Sequence, residues 1–368
     1  MRNRCWTASR RRVAAAVIAM AIAADARGAQ TVDRYLDFSL FGTLGIVHSD
    51  YGLADFTGNV IQLRGAGLSG RWSGTPDSDL GAQMNLTIDD RLSGVVQVLS
   101  RDNLEGNFKP VVEWANLKYD FTDNFSVTVG RILLPTFQRA DVQNVGYSLP
   151  WVRIPLEINY ADSAENSDGL EGSYSWQTGP VKQTLLAQLG YTDENIPGAA
   201  FATVRTKLAM ASDALQIRDF TAQVVYQHYE HSGNPSLRQD LLGAGVTYDP
   251  GAYFLTVDGN YTKNSFFGSS IAWSASAGFR IGQFTPYGLF AATQARGVGA
   301  SGLPALGNER TQAAGLRWDF IHNMDVKMQF DTVALVSVDD TAAFANIQPD
   351  ARPGDKAHVL SLTVDFIF

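Results

Sequence analysis

Arg101, Lys118, Arg131, Arg139, Asp141, Trp151, Arg153, Glu157 and Asp331 are the side chains of this sequence best placed for polar chemistry. Their spacing suits neither a nucleophile with its base nor a metal ligand set. Opposed across a narrow space, such cations and carboxylates would create a transverse field that orients and sorts charged solutes. Arg101, Lys118 and Arg131 are expected to form a basic ladder facing acids of the stretch from Arg131 to Asp168; the plainer alternative is ordinary solvated charge. Arg131 shares parity with Val127 and Val129, so joining that ladder requires a local bulge. Trp151 is either a stacking surface for a solute or, with Leu149, an anchor that pins its segment.

Other motifs carry less. Gly65, Gly67 and Gly70 match a dinucleotide pattern, but no adjoining strand precedes them and no helix follows. Asp162, Glu165, Asn166 and Asp168 offer oxygen donors without the spacing and glycine of a calcium loop. His228 and His231 fall in a surface loop, and no Gly-x-Ser-x-Gly elbow exists for an esterase. No cofactor and no metal are therefore expected.

The elements that must position these residues are strands. From Leu36 to His48 one parity reads Leu36, Phe38, Leu40, Leu44 and Ile46, and the other carries Asp37, Ser39 and Thr43. This period of two recurs down the chain and defines about sixteen strands, an all-β fold. Turns of about two to five residues alternate with longer loops, and strands run about nine to thirteen residues, as a transmembrane antiparallel β-barrel requires. Tyr119, Phe121, Phe125, Tyr248, Tyr253, Phe279, Trp318 and Phe320 gather beside the tight turns, where amphipathic rings favour a membrane interface. The opposite parity carries Gln97, Arg101, Lys118, Glu171, Lys182, Arg205, Lys207, Asp258, Arg317, Lys327, Gln329 and Asp331, which a water-filled lumen would accommodate. One weak region, Phe201 to Ile217, is read as a strand from Thr203 to Leu208 with a turn near Ser212 and Asp213. The stretch Arg131 to Asp168 interrupts the alternation; Pro135, Pro150 and Pro155 keep it from extending the sheet.

A sequence of 368 residues with 45% hydrophobic and 18% charged residues and a mean hydropathy of -0.08 agrees with such a barrel, whose lumen and lipid faces average out. Residues 1–26 read as a cleaved signal peptide, with a basic head, an apolar run from Val13 to Ala24 and small residues at Ala24 and Ala26. Residues 27–368 then form the barrel. The one cysteine, Cys5, falls in the signal. Without the signal's five Arg and one Asp, 24 basic and 36 acidic residues remain, about -12 in charge, which argues against a nucleic-acid partner.

The last strand, Lys356 to Phe368, resembles the closing strand of Gram-negative outer-membrane proteins. That resemblance implies recognition of Phe368 by the barrel-assembly machinery. Sixteen strands with the longest insert after the fifth resemble the general porin family, in which the third extracellular loop folds inward. Glu113 to Phe121, Val129 to Arg131, Pro135 and Pro150 to Pro155 are similar to a narrower set of proteobacterial porin-like proteins. The resemblance implies an outer-membrane channel for passive diffusion of ions and small hydrophilic solutes, a homotrimer, and contact with membrane lipids and lipopolysaccharide. The nine residues above would then line the pore or its constriction. Two alternatives stand beside this reading: a substrate-selective porin with a binding site at the constriction, and an outer-membrane barrel enzyme or adhesin.

Overall fold

Successive side chains leave a strand on opposite faces, so a period of two in polarity favours an extended chain with one apolar face. A computed structural model describes residues 35–159, 164–195, 203–234, 236–301, 308–337 and 342–368. The signal segment and Asp162 lie outside the described residues. The alternation produces β1 (Leu36–Ser49), β2 (Asp79–Thr87), β3 (Leu92–Arg101), β4 (Val111–Asp120), β5 (Phe125–Leu133), β6 (Asn166–Thr178), β7 (Val181–Asn195) and β8 (Thr203–Ile217). It continues through β9 (Phe220–His231), β10 (Arg238–Tyr248), β11 (Tyr253–Asn264), β12 (Gly268–Phe279), β13 (Phe284–Arg296), β14 (Glu309–Ile321), β15 (Met324–Leu335) and β16 (Lys356–Ile367). Every strand pairs antiparallel with its sequence neighbours, and β16 returns to β1 from Ile367 opposite Phe41 to Val359 opposite Ser49. Closure leaves the barrel sheet no unpaired edge. At this seam a side chain on Gly42 would strike the Phe366 ring, so the glycine makes room for the aromatic.

The polarity is inverted relative to a soluble protein. On β11, Tyr253, Leu255, Val257 and Tyr261 are exposed outside, whereas Thr256, Asp258, Asn260 and Thr262 are buried inside. Such a barrel is built for a lipid surround. The expected aromatic rim is continuous in places: Tyr119, Phe121 and Phe125 lie 4.8 and 5.8 Å apart in sequence, and Tyr248, Tyr253 and Phe279 follow at 5.8 and 6.3 Å.

Three details differ from the sequence reading. Strand β8 runs on to Ile217, and its turn falls at Arg218 and Asp219, with Arg218 at φ 51°. The connection from β11 to β12 is short, so the alternation of turn lengths is not strict. Arg205 and Lys207 face outward, because Leu208 and Met210 on the opposite parity are buried inside against Leu134 and Ala164 of the insert. An apolar parity points to lipid only where the lumen offers it nothing apolar.

The wall also carries a row of close-packed glycines. Gly130, Gly169 and Gly190 stand side by side on β5, β6 and β7. A Cβ at Gly169 would lie 2.1 Å from the Leu189 carbonyl oxygen, so no larger residue fits there. At the long-loop end, Asp55–Phe56, Ala66–Gly67 and Phe344–Ala345 form a small three-stranded sheet that joins the first long loop to the last and packs on Leu156 of the insert. Its core includes Tyr51, Phe56 and Phe344, packed over Val333, Leu335 and Val359 of the wall.

Candidate functional site

Residues 134–159 follow β5 as two 3₁₀ turns, Ala140–Val142 and Gly146–Ser148, and a single helical turn, α1 (Leu156–Asn159). Their apolar side chains have partners on the inner wall. Leu149, Trp151, Ile154 and Ile158 pack on Phe254, Ala272, Tyr287, Leu289 and Ala313 of β11–β14, and the Trp151 ring is 6.1 Å from that of Phe254. Trp151 is 4% exposed, so it is an anchor and presents no stacking face to a solute.

Charge completes the docking. A buried cation is tolerated only when its donors are met by acceptors, preferably ionised ones. Arg153 makes a bidentate contact to Asp77 with both distances 2.7 Å, reaches Asp331 at 3.1 Å, and donates to the hydroxyl of Ser361. Burial works against its charge, but Asp77 and Asp331 outweigh it and hold the guanidinium protonated above its usual range. From the wall, Arg317 donates to the Tyr147 and Leu149 carbonyls at 2.6 and 3.0 Å, and the fully buried Lys327 donates to the Gly146 carbonyl at 2.6 Å. Asp325 and Asp365 neutralise these two cations.

Arg101, at the long-loop end of β3, binds Glu165 at 2.8 Å, Asn144 at 3.1 Å and, more distantly, Glu113 at 3.9 Å. Lys118 faces inward, but near the tight turn that ends β4, where it pairs with Asp120 at 2.9 Å. Arg131 stands on the outer face in unbroken register with Asp168 and makes a bidentate pair with it at 2.8 and 3.0 Å. The bulge that would have turned Arg131 inward lies instead between β3 and β4, beside Glu113. The basic ladder is therefore not assembled, because its three members occupy different heights and faces.

Within the insert, Arg139 adopts a left-handed conformation with φ 66°, and burial lowers its affinity for a proton despite nearby Asp249. Asp141 is exposed. Glu157, on α1, is buried; burial raises its pKa, and a bond from the Thr311 hydroxyl opposes that rise. Asp331 is covered by the insert and serves Arg153.

The sequence reading missed Asp77, Glu113, Asp325 and Asp365. Asp77 sits in a glycine-rich loop far from Arg153 in sequence, and nothing local marks it. Arg317 and Lys327 were legible as inward charges by parity, though not as the groups that grip the insert.

A cavity of about 300 Å³ remains at the long-loop end, bordered by β3, β4, β6 and the end of the insert, and a narrower space of about 80 Å³ lies against Arg101, Asp79 and Arg153. A closed barrel with apolar exterior, polar interior and a partly obstructed lumen defines an outer-membrane channel. The chain matches the family model of the Gram-negative porins over residues 13–364 and belongs to that family. Its fold is similar to that of Salmonella typhi OmpF in complex with daunomycin, at 13% identity and a TM-score of 0.61, covering 90% of this chain and 97% of that one. It is also similar to the anion-selective porin of Comamonas acidovorans (13% identity, TM-score 0.55, 90% and 100% covered). The outer membrane channel DcaP of Acinetobacter baumannii is a third such structure (11% identity, TM-score 0.58, 92% and 99% covered). No curated protein matches the chain. The protein is a multi-pass barrel of the Gram-negative outer membrane through which solutes diffuse passively.

Proposed function

We propose that the insert is the constriction of this channel, and that ions and small hydrophilic solutes pass beside it along β2–β8. The observation that carries this reading is the insert's docking: most of its apolar contacts lie on β8–β14, with a smaller patch of Val145 on Phe41 and Leu99, and the space left over borders Arg101, Glu113 and Glu165. Long loops then face the outside of the cell and tight turns the periplasm, as in barrels of this kind. The work of the chain is conduction and not catalysis. Residues 1–26 act as the export signal, and Phe368, whose ring stacks on Phe366 at 5.9 Å, is the signal for assembly.

A homotrimer is supported by the outer face of the wall. Strands β2–β5 are only 9 or 10 residues long, and Arg131 on β5 forms an outward pair with Asp168 of β6. Charge facing hydrocarbon is costly, so a second copy covering this wall would stabilise it. One of the similar structures is the Vibrio cholerae protein OmpT in a trimer form. Lipids and lipopolysaccharide would contact the longer strands. The test is purification of the full chain, heat-modifiable migration on a gel, and planar-bilayer recording. Discrete conductance steps, in multiples of three per insertion, are the expected result. A heat-modifiable barrel without conductance would defeat the channel reading.

A further inference from the structure

Arg101 stands at the open side of the lumen with more negative charge than it can neutralise. Glu165 lies 2.8 Å and Glu113 3.9 Å from the same guanidinium nitrogen, and Asp79 is its register partner on β2. Deeper in, Arg153 is shared between Asp77 and Asp331. Three carboxylates line the narrower space and four line the mouth, with Glu165 common to both, which makes six; the cations counted in the same way are three. We propose that the pore prefers cations to anions, and that Glu113 and Glu165, the two carboxylates flanking Arg101, set this preference. The inference rests on the channel reading above and adds its sign and its determinants.

Size decides that these charges act. A cavity of about 300 Å³ is roughly 8 Å across if taken as a sphere, below the Debye length of about 10 Å at 0.1 M salt. An ion at its centre therefore feels the excess carboxylates with little screening. Low-dielectric walls concentrate that field, raising the local cation population and excluding anions. Neutral amides of Asn144 and Asn166 complete the surroundings: one bonds to Arg101 and the other to Glu113, so they hold the charges in place without altering the balance. The solute class this favours is alkali cations and small organic ammonium ions.

The experiment is the reversal potential of the full-length channel in planar bilayers across a potassium chloride gradient centred near 0.1 M. The wild type is expected to reverse on the cation side, and the ratio of potassium to chloride permeability should fall about two-fold or more in the Glu113→Gln, Glu165→Gln double variant. Arg101→Gln should move the ratio the other way, towards cations. Heat-modifiable migration certifies each barrel as folded, and the wild-type measurement needs no substitution at all. An anion-side reversal in the wild type overturns the proposal, as does an unchanged ratio in both variants. Each of those outcomes leaves a conducting channel, whereas the absence of conductance in the wild type would remove the channel reading itself.

Discussion

The two sides of the lumen are built on opposite principles. Along β8–β16 the inner wall meets the insert and is packed like a protein core, with Phe254, Tyr287 and Leu289 against Trp151 and Leu149, and with Arg153, Arg317 and Lys327 fully committed to acceptors. Along β2–β7 the insert covers less of the inner wall, a cavity borders Arg101 and Glu113, and Lys118 near the tight turn is about half exposed. A charge on the covered side is structural because losing its partner strands it in a dry place. A charge on the open side is free to act on passing ions because water shares the cost of holding it. Similar residue types thus do different work according to what lies opposite them.

Breaking the covered side should have the largest effect. Arg153→Ala leaves Asp77 and Asp331 buried without their cation and is expected to cost about 3–5 kcal/mol, read as a lower temperature of heat-modifiable migration together with noisy, larger conductance. A melting temperature equal to wild type would contradict the covered-side account. Trp151→Ala opens a cavity against Phe254 and should cost about 3 kcal/mol by the same measurement, with the insert loosened but the barrel retained.

Glu157 sharpens the comparison through pH. Burial raises its pKa above the ordinary 4.5, so its contribution to docking is fully present below that value and is lost as pH rises through the raised one. Glu157→Gln should remove that part of the pH dependence and hold the insert more firmly at neutral and alkaline pH. Melting curves between pH 4.5 and 9 that are parallel in wild type and variant would count against it. The smallest effect is expected on the open side, where Lys118→Ala should change stability by no more than about 0.5 kcal/mol and register mainly as a modest change in conductance.

Much of the barrel was legible because a strand betrays itself locally: the alternation at Tyr253 to Tyr261 needs no knowledge of its neighbours. Arg205 and Lys207 were misplaced by parity, whereas Arg131 stands where its parity with Val127 and Val129 puts it and only the assumed bulge failed. Parity says which residues share a face, but which face meets lipid depends on what fills the lumen, and on β8 the apolar end of the insert draws Leu208 and Met210 inward. Glu113 was hidden by a bulge, which shifts parity by one residue without a mark in composition. The partnership of Arg153 with Asp77 was invisible because it joins two irregular segments 76 residues apart. The insert's prolines told that it could not be a strand, and its apolar anchors told that it must be buried somewhere, without telling where.

The small sheet formed by Asp55–Phe56, Ala66–Gly67 and Phe344–Ala345 bears on how the barrel fails. It ties the loop after the first strand to the loop before the last, the same two ends of the chain that meet at the β1–β16 seam. Parting the seam from the long-loop end therefore means tearing this clasp and its Phe56–Phe344 contact as well. Unzipping is left to begin from the tight-turn end, where β1 is held to β16 by its pairing and by the bond from the Thr43 hydroxyl to Asp365, or at some other strand pair altogether.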